Sequence, residues 1–204
     1  MNSNNIISIS RSYLILFLVV ISVIGCNRDD ELAANYIRQL KDGVVLVRLK
    51  TSNLQVGKLI ELGKVEEAKE KVILQQEKNL KIVKSFSKYF NFCKVYFFYS
   101  NNSELVKQKK TEGIFLDLNL NVDSSIKLNE VNVFIVDIGD LFFDAFSSHS
   151  EGIGIMNQDF ELLVKPFPYY IGKSRVLPVF KRSTDELIEM LNEELHAFYY
   201  KTAK

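Results

Sequence analysis

The chain of 204 residues has no tryptophan, three prolines, two cysteines, two histidines and no excess of either charge. Two cysteines give no disulfide framework, so the fold must be held by a hydrophobic core. Two histidines and so few thiols do not assemble a zinc site of ordinary ligand type, and no metal or other cofactor is expected. Lys and Arg number 26 against 25 for Asp and Glu. Nucleic acid is thereby excluded as a main partner, because phosphate neutralisation needs a basic excess on one face. The local group Lys107, Lys109 and Lys110 reads as a solvated helix end. No Walker loop, dinucleotide glycine pattern, nucleophile elbow or Cys-x-x-Cys pair occurs. No internal repeat is present. With 47% apolar and 25% charged residues the composition is that of a globular chain.

A long apolar run is also missing. Residues 1 to 25 have a polar start with the single charge Arg11, then the apolar run Tyr13 to Ile24 broken by Ser22. A bilayer core needs about 20 apolar residues, and extending this run backward would bury Arg11. The segment therefore reads as a signal peptide with a short hydrophobic region. It ends in Val23, Ile24, Gly25 and Cys26, which resemble the lipobox of bacterial lipoproteins. The resemblance implies a diacylglyceryl group on the Cys26 thiol, cleavage before Cys26 and acylation of the new amino group by a palmitate-type chain. Each buried methylene contributes about 0.8 kcal/mol, so two or three chains anchor stably where one does not. The acidic stretch Asn27 to Glu31 is similar to the export signal of surface-displayed lipoproteins of the Bacteroidetes. The expected organisation is a signal peptide over 1–25, a lipidated cysteine and acidic tether over 26–31, and one α/β domain over 32–204. The expected location is the bacterial cell envelope, on the periplasmic or surface face of the outer membrane. With Cys26 acylated, Cys93 is the one remaining thiol and reads as a small buried side chain.

Along the domain, the spacing of Leu32, Ala33, Tyr36, Ile37 and Leu40 predicts a helix stopped at Asp42 and Gly43. Val44 to Leu49 is apolar apart from Arg48, the pattern of a central strand covered on both faces. Thr51, Ser52 and Asn53 offer an N-cap for a short helix broken by Gly63. A long helix from Val65 follows, with Val65, Ala68, Val72, Ile73, Leu80, Val83 and Phe90 as its apolar stripe. Strands are expected at Val95 to Tyr99, Ile114 to Leu116 and Val131 to Ile138, the last ended by Asp137, Gly139 and Asp140. Between the last two, Asn119 to Asn129 reads as a loop. A hairpin of Gly152 to Met156 with Phe160 to Val164 is expected, then an edge or turn at Lys165 to Tyr170. Val176 to Phe180, with Pro178, is a candidate edge strand. Ser183 and Glu186 have capping-box spacing before a closing helix that faces inward through Leu187, Ile188, Leu191, Leu195 and Phe198.

The order of elements predicts an α/β fold with a mixed, mostly central β-sheet and flanking helices. It resembles the thioredoxin-like pattern in topology alone, without the redox motif. Pro166 to Tyr170, Pro-Phe-Pro-Tyr-Tyr, resembles a segment shared by Bacteroidetes lipoproteins of no assigned activity, and carries none over.

Two kinds of site are consistent with these residues. Phe167, Tyr169 and Tyr170, with Phe198, Tyr199 and Tyr200, form a candidate partner surface, since aromatic residues concentrate at interfaces. Ser100, Asn101, Asp137 and Asp140, with Asp144, fall at strand ends where open α/β sheets place ligands, and form a candidate pocket. His149 among Ser147, Ser148 and Ser150 does not form a triad, which draws on distant segments. His196 lies in the closing helix near no acid but Glu193 and Glu194. No catalytic set emerges. The expected function is that of a membrane-anchored, non-enzymatic interaction or assembly module. The alternative is a tethered enzyme or small-ligand binder with its pocket near Ser100 and Asp137. The expected partners are the membrane, through the lipid, and a protein.

Overall fold

The computed structural model describes residues 28–142, 149–174 and 181–202. The segment expected to be a signal peptide, Cys26, Asp144, Ser147, Ser148 and Val176 to Phe180 lie outside the described residues, as does the His149 side chain.

The first helix, α1, covers 28–41. It starts earlier than expected and takes up most of the acidic tether. Asp29, Asp30 and Glu31 fall in its first turn, where negative charge complements the partial positive charge of free N–H groups. Gly43 then turns the chain into β1 (Val44–Leu49). A side chain at Gly43 would run into the Asn132 carbonyl and Cβ, so only glycine fits this close approach.

After β1 come α2 (Asn53–Glu61) and α3 (Val65–Tyr89), then β2 (Lys94–Tyr99). A single 3-10 turn at Ser100–Asn102 leads into α4 (Ser103–Lys107), and β3 (Phe115–Leu116) follows. The chain continues through β4 (Val133–Phe142), β5 (His149–Met156), β6 (Tyr170–Gly172) and α5 (Thr184–Thr202). The six strands form one mixed sheet in the order β3-β2-β1-β4-β5-β6. β1 is central and parallel to both β2 and β4, while β3, β5 and β6 are antiparallel to their neighbours. The α/β expectation holds, with helices flanking an open mixed sheet.

The alternation of side chains along the strands sorts the core into two layers. Val45, Val47, Leu49, Phe134, Val136, Ile153 and Ile155 face the layer that holds Ala33, Ile37 and Leu40 of α1, Val83 and Phe86 of α3, and Leu187, Ile188, Leu191 and Leu195 of α5. Val44, Leu46, Phe98, Val133 and Ile135 face the opposite layer, closed by Val106, Ile114, Phe115 and Leu141. The capping box forms as the spacing predicts: Ser183 N–H donates to Glu186 Oε2 at 2.7 Å, and Glu186 N–H donates to Ser183 Oγ at 3.2 Å.

Four expectations are corrected. Ser52 precedes α2 with φ 55°, and its hydroxyl makes no cap but donates to Gln75 Oε1 at 2.9 Å. β4 continues through Gly139 and Asp140 to Phe142, because β5 pairs along it from Met156 back to His149. The hairpin of 152–156 with 160–164 reduces to a bridge between Met156 and Leu162; β5 spends its other edge on β6. Finally, the apolar stripe of α3 is buried mainly in its second half, with Ala68 the one buried stripe residue of the first. Twenty-five helical residues span about 37 Å, whereas six strand residues span about 20 Å, so α3 outruns the strands it connects. Val65, Val72 and Ile73 are left exposed, and α2 buries no residue at all.

Candidate functional site

The alternation that lines the second layer with Val44 and Leu46 places Arg48 next, and the one that gives Val133 and Ile135 places Asp137. Arg48 and Asp137 are direct partners in the parallel β1–β4 register. The Arg48 guanidinium meets Asp137 Oδ2 at 2.9 Å through Nη1, and its Nε donates to Ser103 Oγ at 3.0 Å. Ser103 in turn donates to the Ser100 carbonyl at 2.7 Å. Asp137 Oδ1 accepts from its neighbour's amide, Ile138 N–H, at 2.8 Å. The Arg48 guanidinium also lies over the Phe160 ring, 5.6 Å from its centroid.

The segment 100–103 and Asp137 are thus brought together, as a strand-end pocket requires. What joins them is Arg48 itself. Asp137 is a buried strand residue with 4% exposure, not a solvated loop acid, and both of its oxygens are engaged. Asn101 and Asp140 are exposed, and Asp140 faces Glu151 across the β4–β5 ladder. Lys50 reaches over Gly139, whose φ of 129° and lack of a side chain admit the ammonium there. This polar cluster is filled by its own groups.

The helical side of the same strand ends is similarly closed. Asn79, buried within α3, donates to the Lys50 carbonyl at 2.9 Å and accepts from Gln75 at 3.1 Å. Among the described residues no buried side-chain N or O atom lacks a partner, and no group of acids, histidines and thiols is placed to hold a metal ion.

The aromatic segment divides. Phe167 is buried, packed edge-on against Tyr36 at 6.3 Å and Phe198 at 6.0 Å. It is a core residue, which corrects its assignment to a partner surface. Tyr169 and Tyr170 are half-buried on opposite sides of the chain, against the first and second layers. The Tyr170 hydroxyl reaches Ser150 Oγ at 2.7 Å.

The segment nonetheless opens onto solvent. Between Lys165 to Tyr170 and the end of α5 lies a cleft of about 640 Å³, walled by Pro166, Pro168, Tyr169 and Phe198, with Phe167 at its base. Lys165, Glu194 and Lys201 line it as charged groups. Among the described residues neither lysine forms an ion pair or hydrogen bond. Burial in the cleft wall raises the Glu194 carboxyl pKa, opposed by the Arg182 charge. Pro166 follows a cis peptide bond.

Two other concavities are more polar. One of about 850 Å³ lies between α4 and residues 124–129 and takes in Lys109 and Lys110 of the basic patch with Glu112 and Lys127. One of about 420 Å³ lies where Lys84 and Lys88 of α3 approach Asp185. None of the three clefts is lined by Arg48, Ser103 or Asp137.

The remaining candidates have structural roles. His196 Nε2 donates to Asn91 Oδ1 at 2.9 Å and the ring packs edge-on against Phe92 at 5.1 Å; burial lowers its pKa, and nearby Lys41 adds to this. The Cys93 thiol is pushed up to about 12 by burial, partly offset by Lys41 and a bond to Val45. A thiol held protonated in this way is a poor nucleophile.

No protein-family model matches the chain, and no curated protein or solved structure matches it either. Among the described residues no helix is long and apolar enough to cross a membrane.

Proposed function

We propose that this protein is a membrane-anchored envelope lipoprotein with no catalytic activity of its own, an interaction or assembly module that recognises its partner at the aromatic cleft of Lys165 to Tyr170 and α5. The anchor is the Cys26 lipid, on the strength of the Val23-Ile24-Gly25-Cys26 resemblance. The observation that carries the recognition reading is the contrast between the two polar regions. The strand-end cluster consumes its own charges, whereas the cleft keeps two lysines without partners among the described residues, beside half-buried aromatic and proline surface. Ligand sites are concave, mostly apolar and marked by a few polar groups, which is the composition of this cleft.

The anchor starts just before the folded domain. Only Asn27 separates Cys26 from the first helical residue, so the domain would sit directly on the membrane surface. Two measurements test the proposal. Cys26→Ser should abolish lipid attachment and cleavage before residue 26, so that the chain keeps its leader; a variant processed like the parent refutes the anchor. Crosslinking in intact envelopes should return a reproducible partner whose yield falls with Tyr169→Ala, and an unchanged yield refutes the cleft as the recognition surface.

A further inference from the structure

The charges of the cleft constrain what fills it. Lys165 and Lys201 are exposed and line the cleft together with Tyr169, Pro168 and Phe198. A neutral occupant makes no use of either charge. An occupant with an anionic head supplies the missing partner, and a charge-assisted bond to it is about twice as strong as a neutral one. Glu194 works against any purely anionic ligand, so the apolar body must contribute as well. The 640 Å³ volume is in the range of sites for drug-sized molecules, about 300–1,000 Å³.

We infer that the cleft between Lys165–Tyr170 and α5 binds a small amphipathic anion: an apolar ring or chain seated on Tyr169, Pro168 and Phe198, with one carboxylate or phosphate head held by Lys165 and Lys201. This rests on the cleft being the recognition site and names the chemistry recognised there.

Calorimetric titration of the full chain in non-ionic detergent with 2-naphthoate, 2-naphthyl phosphate and the neutral 2-naphthylmethanol tests it. At least one anion should bind ten-fold or more tightly than the alcohol, and the tighter of the two identifies the head group. Lys165→Ala with Lys201→Ala should remove that ten-fold preference. Lys84→Ala with Lys88→Ala removes the same charge from a different cleft and should preserve it. Equal affinity for all three compounds, no binding of any, or a preference that survives the Lys165/Lys201 change overturns the inference. If none binds while Tyr169→Ala still lowers partner crosslinking, the ligand class fails and the recognition reading stands. If the anions bind and Tyr169→Ala alters neither binding nor crosslinking, both fail.

Discussion

The strand-end cluster around Arg48 and Asp137 and the cleft around Lys165 and Lys201 contain similar groups, yet they differ in what those groups already hold. Arg48 has a carboxylate, a hydroxyl and an aromatic ring around it, and Asp137 has a guanidinium and an amide. The two cleft lysines have solvent. A polar cluster at the carboxyl ends of parallel strands occupies the place where open α/β sheets hold ligands, but here location alone does not make a site. A satisfied network rigidifies, whereas unpaired groups beside apolar surface remain available to bind.

That distinction can be broken by mutation. The largest effects should come from the buried aromatic base of the cleft: Phe167→Ala leaves a cavity between Tyr36 and Phe198 and should cost about 3–5 kcal/mol in denaturant unfolding. Lys165→Ala and Lys201→Ala, a few residues away, should each stay within about 0.5 kcal/mol. Removing one partner of the strand-end pair should cost about 3 kcal/mol for Arg48→Ala, since a buried Asp137 is left uncompensated. Arg48→Met combined with Asp137→Leu should recover most of that loss, because replacing both ions with apolar side chains removes the desolvation cost as well as the attraction. A double variant as unstable as Arg48→Ala would mean the cluster does more than hold the strands together.

Smaller effects follow from ionisation. Alkylation of Cys93 in the folded chain at pH 8 should be at least ten-fold slower than in urea, because burial holds the thiol protonated. Equal rates would show that the thiol is accessible and ionisable in the folded chain. Glu151 bonds Lys173 first and then Lys181, and these bonds hold its carboxyl below the usual range. A depressed folded pKa stabilises at pH values above the unfolded one, near 4.5, and that contribution disappears as pH falls through the folded value. Glu151→Gln should therefore lower Tm at pH 7 by a small amount, and the difference should close as pH falls through the depressed folded value.

Much of the fold was legible in the sequence because local chemistry and tertiary structure agree there. Val44 to Leu49 is a nearly unbroken apolar run and becomes the central strand. Ser183 and Glu186 have capping-box spacing and form it. Where the two disagree, reading fails for a physical reason. The α3 stripe has helical period throughout, but period does not reveal that the strands beneath stop after about 20 Å. Phe167 and Tyr169 look alike in sequence, and only the packing of α1 and α5 sends one into the core and leaves the other at the wall. Asp137 was visible as a candidate, but not its partner. The signal was present: Arg48 is the one charge in an apolar strand, and a cation drawn toward a core favours an anion nearby. Lys201 and Glu194 of the cleft carried no sequence signal, since they are ordinary polar residues on the outer side of an amphipathic helix.

The most direct test of the contrast between an open and a closed polar region is site-specific photo-crosslinking. A benzophenone amino acid placed at position 169 or at position 50 of the full chain, in its own envelope, reports what each region touches. A defined adduct should form from 169, lost with Lys165→Ala and Lys201→Ala, and none from 50. An adduct from 50 with silence at 169 would contradict that contrast.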